Sequence, residues 1–353
     1  MKRIFRVLGF IFRIVAIVAA LALCISYISI FINPAFSTIP LFFGLYFIPL
    51  VILNLFLLIV ALIARSNGGW ITFAFLLPSL LFTDLFVRWG EVPSGQEGRI
   101  LKICSYNVGS FSLSHKYEPH ETIDKIREFI DSNSPDIVCI QDYYVKSGLS
   151  FLEGYDSYPY MYPSRENIGW GYIGNIILSK FPISETGKLA FGSTSNQCIY
   201  ADIDYMGDPI RVYNAHLESN SVSFTSLIKN IREGDNVPEE LYKVHDRMSL
   251  SFKKRALQVE EIVAHSDKSP YKSIICGDFN DTPVSYTYRS LVKNRKDSFK
   301  ESGNGVSATY STFWPLLRID YILYPEPFWS ISHTTYRVDY SDHYPVISEI
   351  IIP

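Results

Sequence analysis

Between Ile14 and Ala64 the chain contains no Asp, Glu, Lys, Arg or His, and this constrains its fold more than any other feature. A helix of roughly 20 apolar residues can cross a bilayer, and breaker residues divide this region and the next into three such lengths. We therefore predict a transmembrane region over residues 1–90, with helices at about 14–32, 41–64 and 70–87. A cleaved signal peptide is the alternative for the first helix, but its apolar core exceeds the roughly 7–15 residues that are usual there.

Basic residues in short loops predict the orientation of such helices, because they stay in the cytoplasm. Those before the first helix are Lys2, Arg3, Arg6 and Arg13. Arg65 lies between the second and third helices. Three crossings then carry everything after Arg88 to the outer, periplasmic face of the inner (cytoplasmic) membrane.

The rest of the chain reads as a linker over residues 91–99 and one domain over residues 100–353. From residue 91 onward there are 26 Lys and Arg against 34 Asp and Glu, a net charge of −8. Because nucleic-acid affinity comes largely from neutralising phosphates, such a domain is a poor passive binder of nucleic acid. A phosphate substrate would need local cations, most simply a bound metal.

Short β-branched runs bounded by turn residues predict strands in this domain. They are Ile100–Tyr106, Ile137–Gln141, Asn175–Leu178, Gln197–Ile203, Ile210–His216, Ser273–Cys276, Ile319–Leu323 and Val346–Ile351. Helical periodicity marks Thr122–Asp131, Phe252–His265 and Ser285–Val292, and Val222–Val237 has the composition of an irregular insertion. Strands that follow strands, with few helices between them, favour a two-layer or sandwich α/β arrangement over a regular βα repeat.

Polar residues follow the strand that ends at Cys276, in the sequence Gly277-Asp278-Phe279-Asn280. The two-residue period of an extended chain puts Asp278 and Asn280 on one face, with Phe279 pointing inward. An Asx turn that ends the strand is the alternative explanation, since Asp and Asn are common turn formers. Taken alone, this motif does not distinguish the two.

The other predicted strands also end in oxygen or imidazole side chains. They are Asn107, Asp142, Asn214, His216, Asp320, Asp342 and His343. Strand ends at one edge of an α/β fold are where binding sites are commonly built. Carboxylate and amide oxygens without thiolates suit Mg²⁺ or Mn²⁺, and histidines beside them can move protons. A metal ion, carboxylates and histidines are together the groups that catalyse hydrolysis of a phosphate ester.

The segments that carry these residues, in order, are YNV, QD, GYIGNIILSKFPI, NAHLES, GDFNDTP, RIDYIL and SDHYPV. This set resembles the endonuclease/exonuclease/phosphatase superfamily of metal-dependent phosphoesterases, which includes DNase I-like nucleases. The resemblance covers roughly residues 101–351 and excludes the apolar N-terminal region. It implies a four-layer α/β sandwich, in which two β-sheets are flanked by helices, preceded here by the three transmembrane helices.

The resemblance also implies roles for individual residues. Asn107, Asp142 and Asp342 would hold or support Mg²⁺ (or Mn²⁺), and Tyr172 and Asn214 would bind substrate. The implied catalytic residues are His216, Asp278, Asn280, Asp320 and His343, with Asp320 paired to His343. Arg255 and Gln258, one turn apart on the long helix, read as surface or helix-packing groups.

The predicted function is hydrolysis of a phosphodiester by a membrane-anchored enzyme, through in-line attack of water assisted by Mg²⁺. The substrate would be a nucleic acid or a phospholipid headgroup, the bilayer would be the other partner, and no obligate protein partner is evident. One departure supports an alternative. Asp142 stands where the family has Glu, one methylene longer, so a catalytically weak or inactive protein that binds phosphate ligands at the membrane is the second hypothesis.

Overall fold

The structure is a computed structural model that describes residues 2–89, 95, 97–114, 116–146, 150–169, 171–192, 194–220 and 237–353. Its first part consists of apolar helices, and its second part is built on two six-stranded sheets. Most of the predicted linker over 91–99 lies outside the described residues, and Arg99 already belongs to a strand. The predicted insertion over 222–237 lies outside them as well, apart from Val237, where a helix begins.

The N-terminal part contains four α-helices and a 3₁₀ helix. They are α1 (Lys2–Ile28), α2 (Ile39–Leu45), α3 (Phe47–Ile63), α4 (Gly69–Leu76) and the 3₁₀ helix Leu77–Leu85. The side chain of Asn54 on α3 donates to the carbonyl of Ala19, halfway along α1, and Tyr27 near the end of α1 donates to the carbonyl of Phe75 on α4. The three segments therefore pack side by side.

Among the described helices, α1 alone is long and apolar enough to cross a membrane as one continuous helix, over Arg6–Ile28. The prediction of three full-length membrane helices is not supported. The second predicted span is bent by 71° between α2 and α3, because Pro49 has no N–H to donate to the carbonyl of Leu45 in a continuous helix. Pro78 likewise interrupts the third span, which continues from α4 as a 3₁₀ helix.

Two mixed sheets form the rest of the protein. The strands of the first sheet are β2 (Arg99–Asn107), β3 (Ile137–Val145), β4 (Tyr160–Asn167), β5 (Tyr172–Ser179), β13 (Trp329–Thr335) and β14 (Val346–Ile352). Those of the second are β6 (Ile183–Leu189), β7 (Gln197–Tyr205), β8 (Asp208–His216), β9 (Lys272–Asp278), β10 (Lys296–Asp297) and β12 (Asp320–Tyr324). The first sheet has the order β13-β14-β2-β3-β5-β4, and the second has the order β10-β12-β9-β8-β7-β6. A short pair, β1 (Val87–Arg88) with β11 (Gly305–Val306), completes the described strands.

The two sheets stack face to face, and helices cover their outer faces. The interface between the sheets is filled by small and β-branched residues, among them Ile103, Cys139, Val212 and Ile274. Helix α5 (Pro119–Asn133) packs on the first sheet. The helices α6 (Val237–Ser266) and α7 (Tyr286–Val292) pack on the second sheet, and a short α8 (Ser298–Ser302) follows. The predicted α/β sandwich flanked by helices is therefore confirmed in its layers.

The N-terminal helices pack against the second sheet's helical layer. Leu23, Phe47 and Leu85 share one buried cluster with residues of α6, α7 and β9. The hydroxyl of Ser29, just after α1, lies 2.8 Å from the carbonyl of Val284 and 2.6 Å from that of Ser26, and its single proton is shared between these two acceptors. Since Val284 lies in the turn that follows Asp278, the end of α1 is joined directly to the segment that carries the predicted catalytic motif.

A buried histidine far from the strand-end residues gives a testable pH dependence of stability. His333 on β13 lies between the hydroxyls of Ser298 and Ser348, each 2.8 Å from Nδ1. Burial, with help from Arg318, lowers the pKa of His333 to about 3, whereas an unfolded histidine titrates near about 6.5. Between these values only the unfolded chain binds the proton, so this stability is complete above pH 6.5 and declines as the pH falls.

We expect the free energy of unfolding to fall by about 2 kcal/mol from this group between pH 7.5 and pH 5. His333→Gln should remove that component and leave a smaller pH dependence. Denaturant unfolding of both proteins at the two pH values measures the difference. An equal loss of stability in the wild type and the variant would show that His333 does not take up the proton.

Candidate active site

The predicted strand-end residues of the two sheets meet at one edge of the sandwich. Asn107 ends β2 in the first sheet, and Asp278 ends β9 in the second. The amide of Asn107 donates to Asp278 Oδ2 at 2.9 Å, which joins the sheets at this point. Within the second sheet Asp278 is paired in register with His216 on β8 and with Asp320 on β12. Parallel pairing of β8 with β9 thus brings their polar ends to the same edge.

Asp278 is the centre of this arrangement. Its carboxylate is almost fully buried and accepts hydrogen bonds from the backbone N–H of Asn280 at 2.8 Å and from its side-chain amide at 3.2 Å. The same amide donates to the carbonyl of Leu217. Two imidazoles face the carboxylate, with Nε2 of His216 at 3.7 Å and Nε2 of His343 at 3.8 Å from Oδ2. The Asp278 carboxylate is therefore oriented by fixed donors and has two histidines within reach.

His343 is held as a cation by its neighbours. Its Nδ1 lies 3.0 Å from Asp320 Oδ2, and its ring packs edge-on against Tyr310 with centroids 5.1 Å apart. Burial alone would lower the pKa of His343, but the carboxylates of Asp320 and Asp278 outweigh it and raise the pKa to about 10. At neutral pH the imidazolium donates from Nδ1 to Asp320, so its Nε2–H remains free to bond an oxyanion.

Asp142 lies in an irregular part of β3. The pairing of β3 with β5 shifts register between Ile140 and Tyr143, and Asp142 adopts a left-handed backbone with φ of 53°. Burial raises the pKa of Asp142; His216 and a hydrogen bond from Ser110 oppose this, and the charge of Asp342 adds to it. The irregular strand thus turns the carboxylate inward, close to a second acidic residue and to His216.

The donors at this edge fit a hard divalent cation. Asn107 Oδ1, Asp142 and Asp342 offer amide and carboxylate oxygens, which Mg²⁺ prefers. Burial and the neighbouring charge of Asp342 raise the pKa of Asp142, and a cation would offset the repulsion between the two carboxylates. A neighbouring cluster of Asp278, Asp320 and His343 also brings its ligand atoms within 4.8 Å of one another. All three residues of that cluster are buried, and Nδ1 of its imidazole lies at hydrogen-bonding distance from Asp320.

The two predicted substrate-binding residues differ in placement. Tyr172 begins β5 opposite Val145, at the same edge as Asp142, with 45% of its surface exposed. Asn214 is fully buried: its amide donates to the carbonyls of Ile140 and Ile176, and its Oδ1 accepts from Gln141. The polar atoms of the Asn214 side chain thus take part in joining the sheets, and contact of Asn214 with substrate stays a prediction.

Arg255 was interpreted as a surface or helix-packing group, and the structure makes it a buried support of the site. It is fully buried on α6, donates to the Glu218 carbonyl at 2.6 Å and to Asn220 Oδ1 at 2.9 Å, and lies 3.5 Å from Asp281 Oδ2. Gln258, one turn on, accepts from the Glu218 backbone. These residues tie the segments after His216 and Asp278 to the helix. The sequence signal for this buried role was the spacing of Arg255 and Gln258, two polar residues one turn apart on an otherwise amphipathic helix.

Because Arg255 compensates the buried Asp281, its removal is expected to destabilise the fold strongly. Arg255→Met should lower the free energy of unfolding by about 3–5 kcal/mol, the usual cost of leaving a buried charge unpaired. Denaturant unfolding measures this. Arg247→Met, at an exposed position of the same helix, is the control and should change stability by less than about 0.5 kcal/mol. Equal, small effects of both substitutions would contradict the assignment.

The family model described as "Endonuclease/Exonuclease/phosphatase family" matches residues 104–343. The chain therefore belongs to this family of phosphoesterases, and the resemblance seen in its motifs is confirmed. It is an enzyme that hydrolyses phosphate ester bonds. A second family model, described only as a domain of unknown function, matches residues 9–84. No curated protein matches the chain.

Solved structures agree with this fold. The endonuclease/exonuclease/phosphatase of Beutenbergia cavernae is 15% identical, with a TM-score of 0.55, and the match covers 72% of each chain. A humanized TDP2 of D. rerio is 15% identical, with a TM-score of 0.53, over 72% of this chain and 99% of the other. D. rerio TDP2 complexed with a single strand DNA product is 16% identical, with a TM-score of 0.52, over the same shares. At these identities the likeness establishes the fold alone.

Proposed function

We propose that the chain is a membrane-anchored, Mg²⁺-dependent phosphodiesterase. The observation that carries the proposal is the convergence of Asn107, Asp278, Asp320 and His343 from two sheets onto one edge. Asp278 has buried carboxylate oxygens held by fixed donors, and the His343 imidazolium lies beside it. This is an arrangement for deprotonating a water molecule next to a site that stabilises negative charge.

Each residue then has a definite task in hydrolysis. Asp278 orients the attacking water and takes its proton, while Asn280 fixes the carboxylate in position. The Nε2–H of His343 bonds a non-bridging oxygen of the phosphate as its charge grows. His216 protonates the leaving oxygen, so that a phosphodiester and water become a phosphomonoester and an alcohol. Asn107, Asp142 and Asp342 would hold Mg²⁺, which when bound supplies positive charge to the phosphoryl oxygens.

The junction between α1 and the catalytic motif favours a phospholipid headgroup over nucleic acid as the substrate. Leu23 on α1 shares a buried apolar cluster with Phe279 and Val284, in the turn after Asp278, and Ser29 Oγ lies 2.8 Å from the Val284 carbonyl. These contacts keep the site near the bilayer surface if α1 is embedded. The acidic domain, with net charge −8, also lacks the general positive charge on which nucleic-acid affinity depends.

The membrane anchor is α1 together with α3 and α4, which pack beside it. Large apolar side chains of α3, including Leu55, Phe56 and Ile59, are exposed and suit a lipid environment. Arg13 on α1 lies next to Gly68 in the turn between α3 and α4, so Arg13 and Arg65 mark one end of the bundle and Ser29 the other. By the positive-inside rule the catalytic domain is on the periplasmic side of the inner membrane.

A panel of substrates tests the proposed activity. The full chain, purified in detergent with Mg²⁺, is assayed on bis(p-nitrophenyl) phosphate, on lipid vesicles containing sphingomyelin or phosphatidylglycerol, and on plasmid DNA. We expect turnover of the generic diester and of a vesicle lipid, and slower cleavage of DNA. Turnover of DNA alone would contradict the lipid assignment, and absence of turnover on every diester would favour the alternative of a non-catalytic phosphate-binding protein.

The orientation has a separate test. Protease added to cells with a permeabilised outer membrane and an intact inner membrane should digest the catalytic domain. Protection of the domain until the inner membrane is lysed would place it in the cytoplasm and contradict the proposal.

A further inference from the structure

A cavity lined by apolar and charged side chains lies away from the residues assigned to hydrolysis, where the N-terminal helices meet the catalytic domain. It has a volume of about 290 Å³ and is bounded by Ile30, the 3₁₀ helix Leu77–Leu85, α7 and β10. The cationic side chains along it are Arg289, Arg295, Lys296 and Lys300. We call this cavity the junction groove. None of the residues assigned to hydrolysis above lines it.

The junction groove opens where α1 would leave a bilayer. Ile30 follows the last residue of α1 by two positions, and the Arg289 guanidinium lies over the ring of Phe31, 4.3 Å from its centroid. Leu81, another wall residue, is 79% exposed. Apolar side chains and cations therefore meet at the same level, as they do in proteins that contact both lipid tails and headgroups.

The charge of the groove is positive and poorly compensated. Four cations and two acids line it, and one of the acids, Asp297, is already bound by Arg318 and by the hydroxyl of Tyr288. The carboxylates that reach Lys296 and Lys300 are those of Glu326 and Asp84, both at 3.3 Å and well exposed. Exposed ion pairs of this kind contribute little, so the groove keeps a net attraction for anions.

Arg295 is the buried cation among the residues that line the groove. Its side chain is only 5% exposed, and its nearest carboxylate oxygen, on Asp267, is 3.9 Å away. One terminal nitrogen donates to the hydroxyls of Ser266 and Ser273. Within the described part of the chain its buried Nε–H has no acceptor. A buried guanidinium with a free donor is costly, and a phosphate is the anion whose oxygens match the planar donor geometry of arginine.

We propose that the junction groove binds the phosphate headgroup of an anionic phospholipid, with its acyl chains against Ile30 and Leu81. The inference rests on the membrane anchoring in the proposed function. The bound lipid would be a structural ligand that fixes the catalytic domain on the bilayer surface. Phosphatidylglycerol carries a net negative charge on the headgroup and phosphatidylcholine does not, so the groove should distinguish them.

Native mass spectrometry of the full chain in detergent tests this. The protein is mixed with equal amounts of phosphatidylglycerol and phosphatidylcholine, and the lipid retained is measured for the wild type and for Arg289→Gln/Lys296→Gln. We expect selective retention of phosphatidylglycerol by the wild type, reduced roughly 10- to 30-fold in the double variant, from the attraction of about two basic residues near a headgroup. Lys293→Gln, an exposed lysine of the same segment outside the groove, should retain it as the wild type does.

Equal retention by the wild type and the double variant, or no preference for phosphatidylglycerol, would overturn the proposal. The melting temperature of the wild type is also measured with inorganic phosphate and with phosphatidylglycerol. A rise with inorganic phosphate alone would overturn the proposal, because the ligand would then be a free anion. Circular dichroism of each variant checks that it is folded. Turnover of bis(p-nitrophenyl) phosphate on the same samples separates the two proposals, since selective retention without turnover would support the groove and contradict the phosphodiesterase.

Discussion

Asp278→Asn is expected to lower kcat/KM for a phosphodiester by about 10³-fold, the scale of removing a positioned general base. The substitution preserves the shape of the side chain. Its amide has one acceptor oxygen where the carboxylate has two, so one side of it no longer accepts the hydrogen bonds that Asn107 and Asn280 donate. The variant also lacks the negative charge that, in the proposed function, takes the proton of the attacking water. The measurement is steady-state hydrolysis of bis(p-nitrophenyl) phosphate by the full chain with Mg²⁺.

A matched substitution controls for the loss of one negative charge. Asp246 is exposed on α6, and Asp246→Asn should keep kcat/KM within about twofold of the wild type, since surface charges far from a site act weakly at physiological salt. If Asp278→Asn retained a tenth or more of the wild-type value, Asp278 would not be the proton acceptor, and the assignment of roles at this edge would fail.

Gly277→Ala is expected to lower the free energy of unfolding by roughly 4 kcal/mol, from overpacking and backbone strain together. Gly277 has φ of 140°, and a Cβ built there would lie 1.8 Å from the carbonyl oxygen of Ala215 on the neighbouring strand. Strands β8 and β9 are parallel and hydrogen-bonded at this point, so neither backbone can move aside. The glycine thus permits the close approach of β8 that puts His216 beside Asp278.

Gly207→Ala is the matched control for Gly277→Ala. Gly207 also has a positive φ, of 94°, but no atom lies within 4 Å of the position of its missing Cβ. Its replacement should cost only backbone strain, about 1 kcal/mol. Guanidinium unfolding followed by tryptophan fluorescence measures both variants. Similar losses for both would mean that φ alone, and not the contact with Ala215, makes Gly277 necessary.

The sequence predicted the central strands well because they are buried on both faces. Runs such as Ile137–Gln141 are continuous and apolar, and such runs signal a strand wherever they occur. Four strands of the two large sheets are absent from the prediction, and all four lie at sheet edges: β4, β6, β10 and β13. The sequences of β4 and β6, YMYPSREN and ISETGKL, contain Pro or Gly and many polar residues. Edge strands tolerate these because one side of the backbone faces solvent.

The site could be predicted in part for a related reason. Polar residues at the ends of apolar strands are visible in a sequence, and parallel pairing brings them together. The sequence does not show which groups from distant segments will form hydrogen bonds with a given polar side chain. Asn214 reads like its neighbour His216, yet the opposing sheet supplies the carbonyls of Ile140 and Ile176 that bury it. Arg255 has the residue type of a surface or helix-packing group, yet it is buried because Asp281 and the Glu218 carbonyl compensate its charge.

The prediction of membrane helices depended on the length and composition of apolar segments. These two properties do not show where a proline divides a helix. Residues 41–64 are apolar throughout, but the missing N–H of Pro49 separates α2 from α3 with a 71° bend. The bend lets Phe42 on α2 reach α6, where it stacks on His245. Part of the predicted membrane helix 41–64, namely α2, therefore packs against the catalytic domain.

The dependence of turnover on Mg²⁺ tests the central claim most directly. The claim is that Asn107, Asp142 and Asp342, carried by strands of the first sheet and the loop before β14, hold one hard cation beside Asp278 of the second sheet. Hydrolysis of bis(p-nitrophenyl) phosphate is followed as Mg²⁺ is added to the EDTA-treated full chain, for the wild type and Asp142→Asn. We predict no turnover without metal, saturation on addition, and about a tenfold higher Mg²⁺ requirement in the variant. Full turnover by the metal-free wild type would contradict the account.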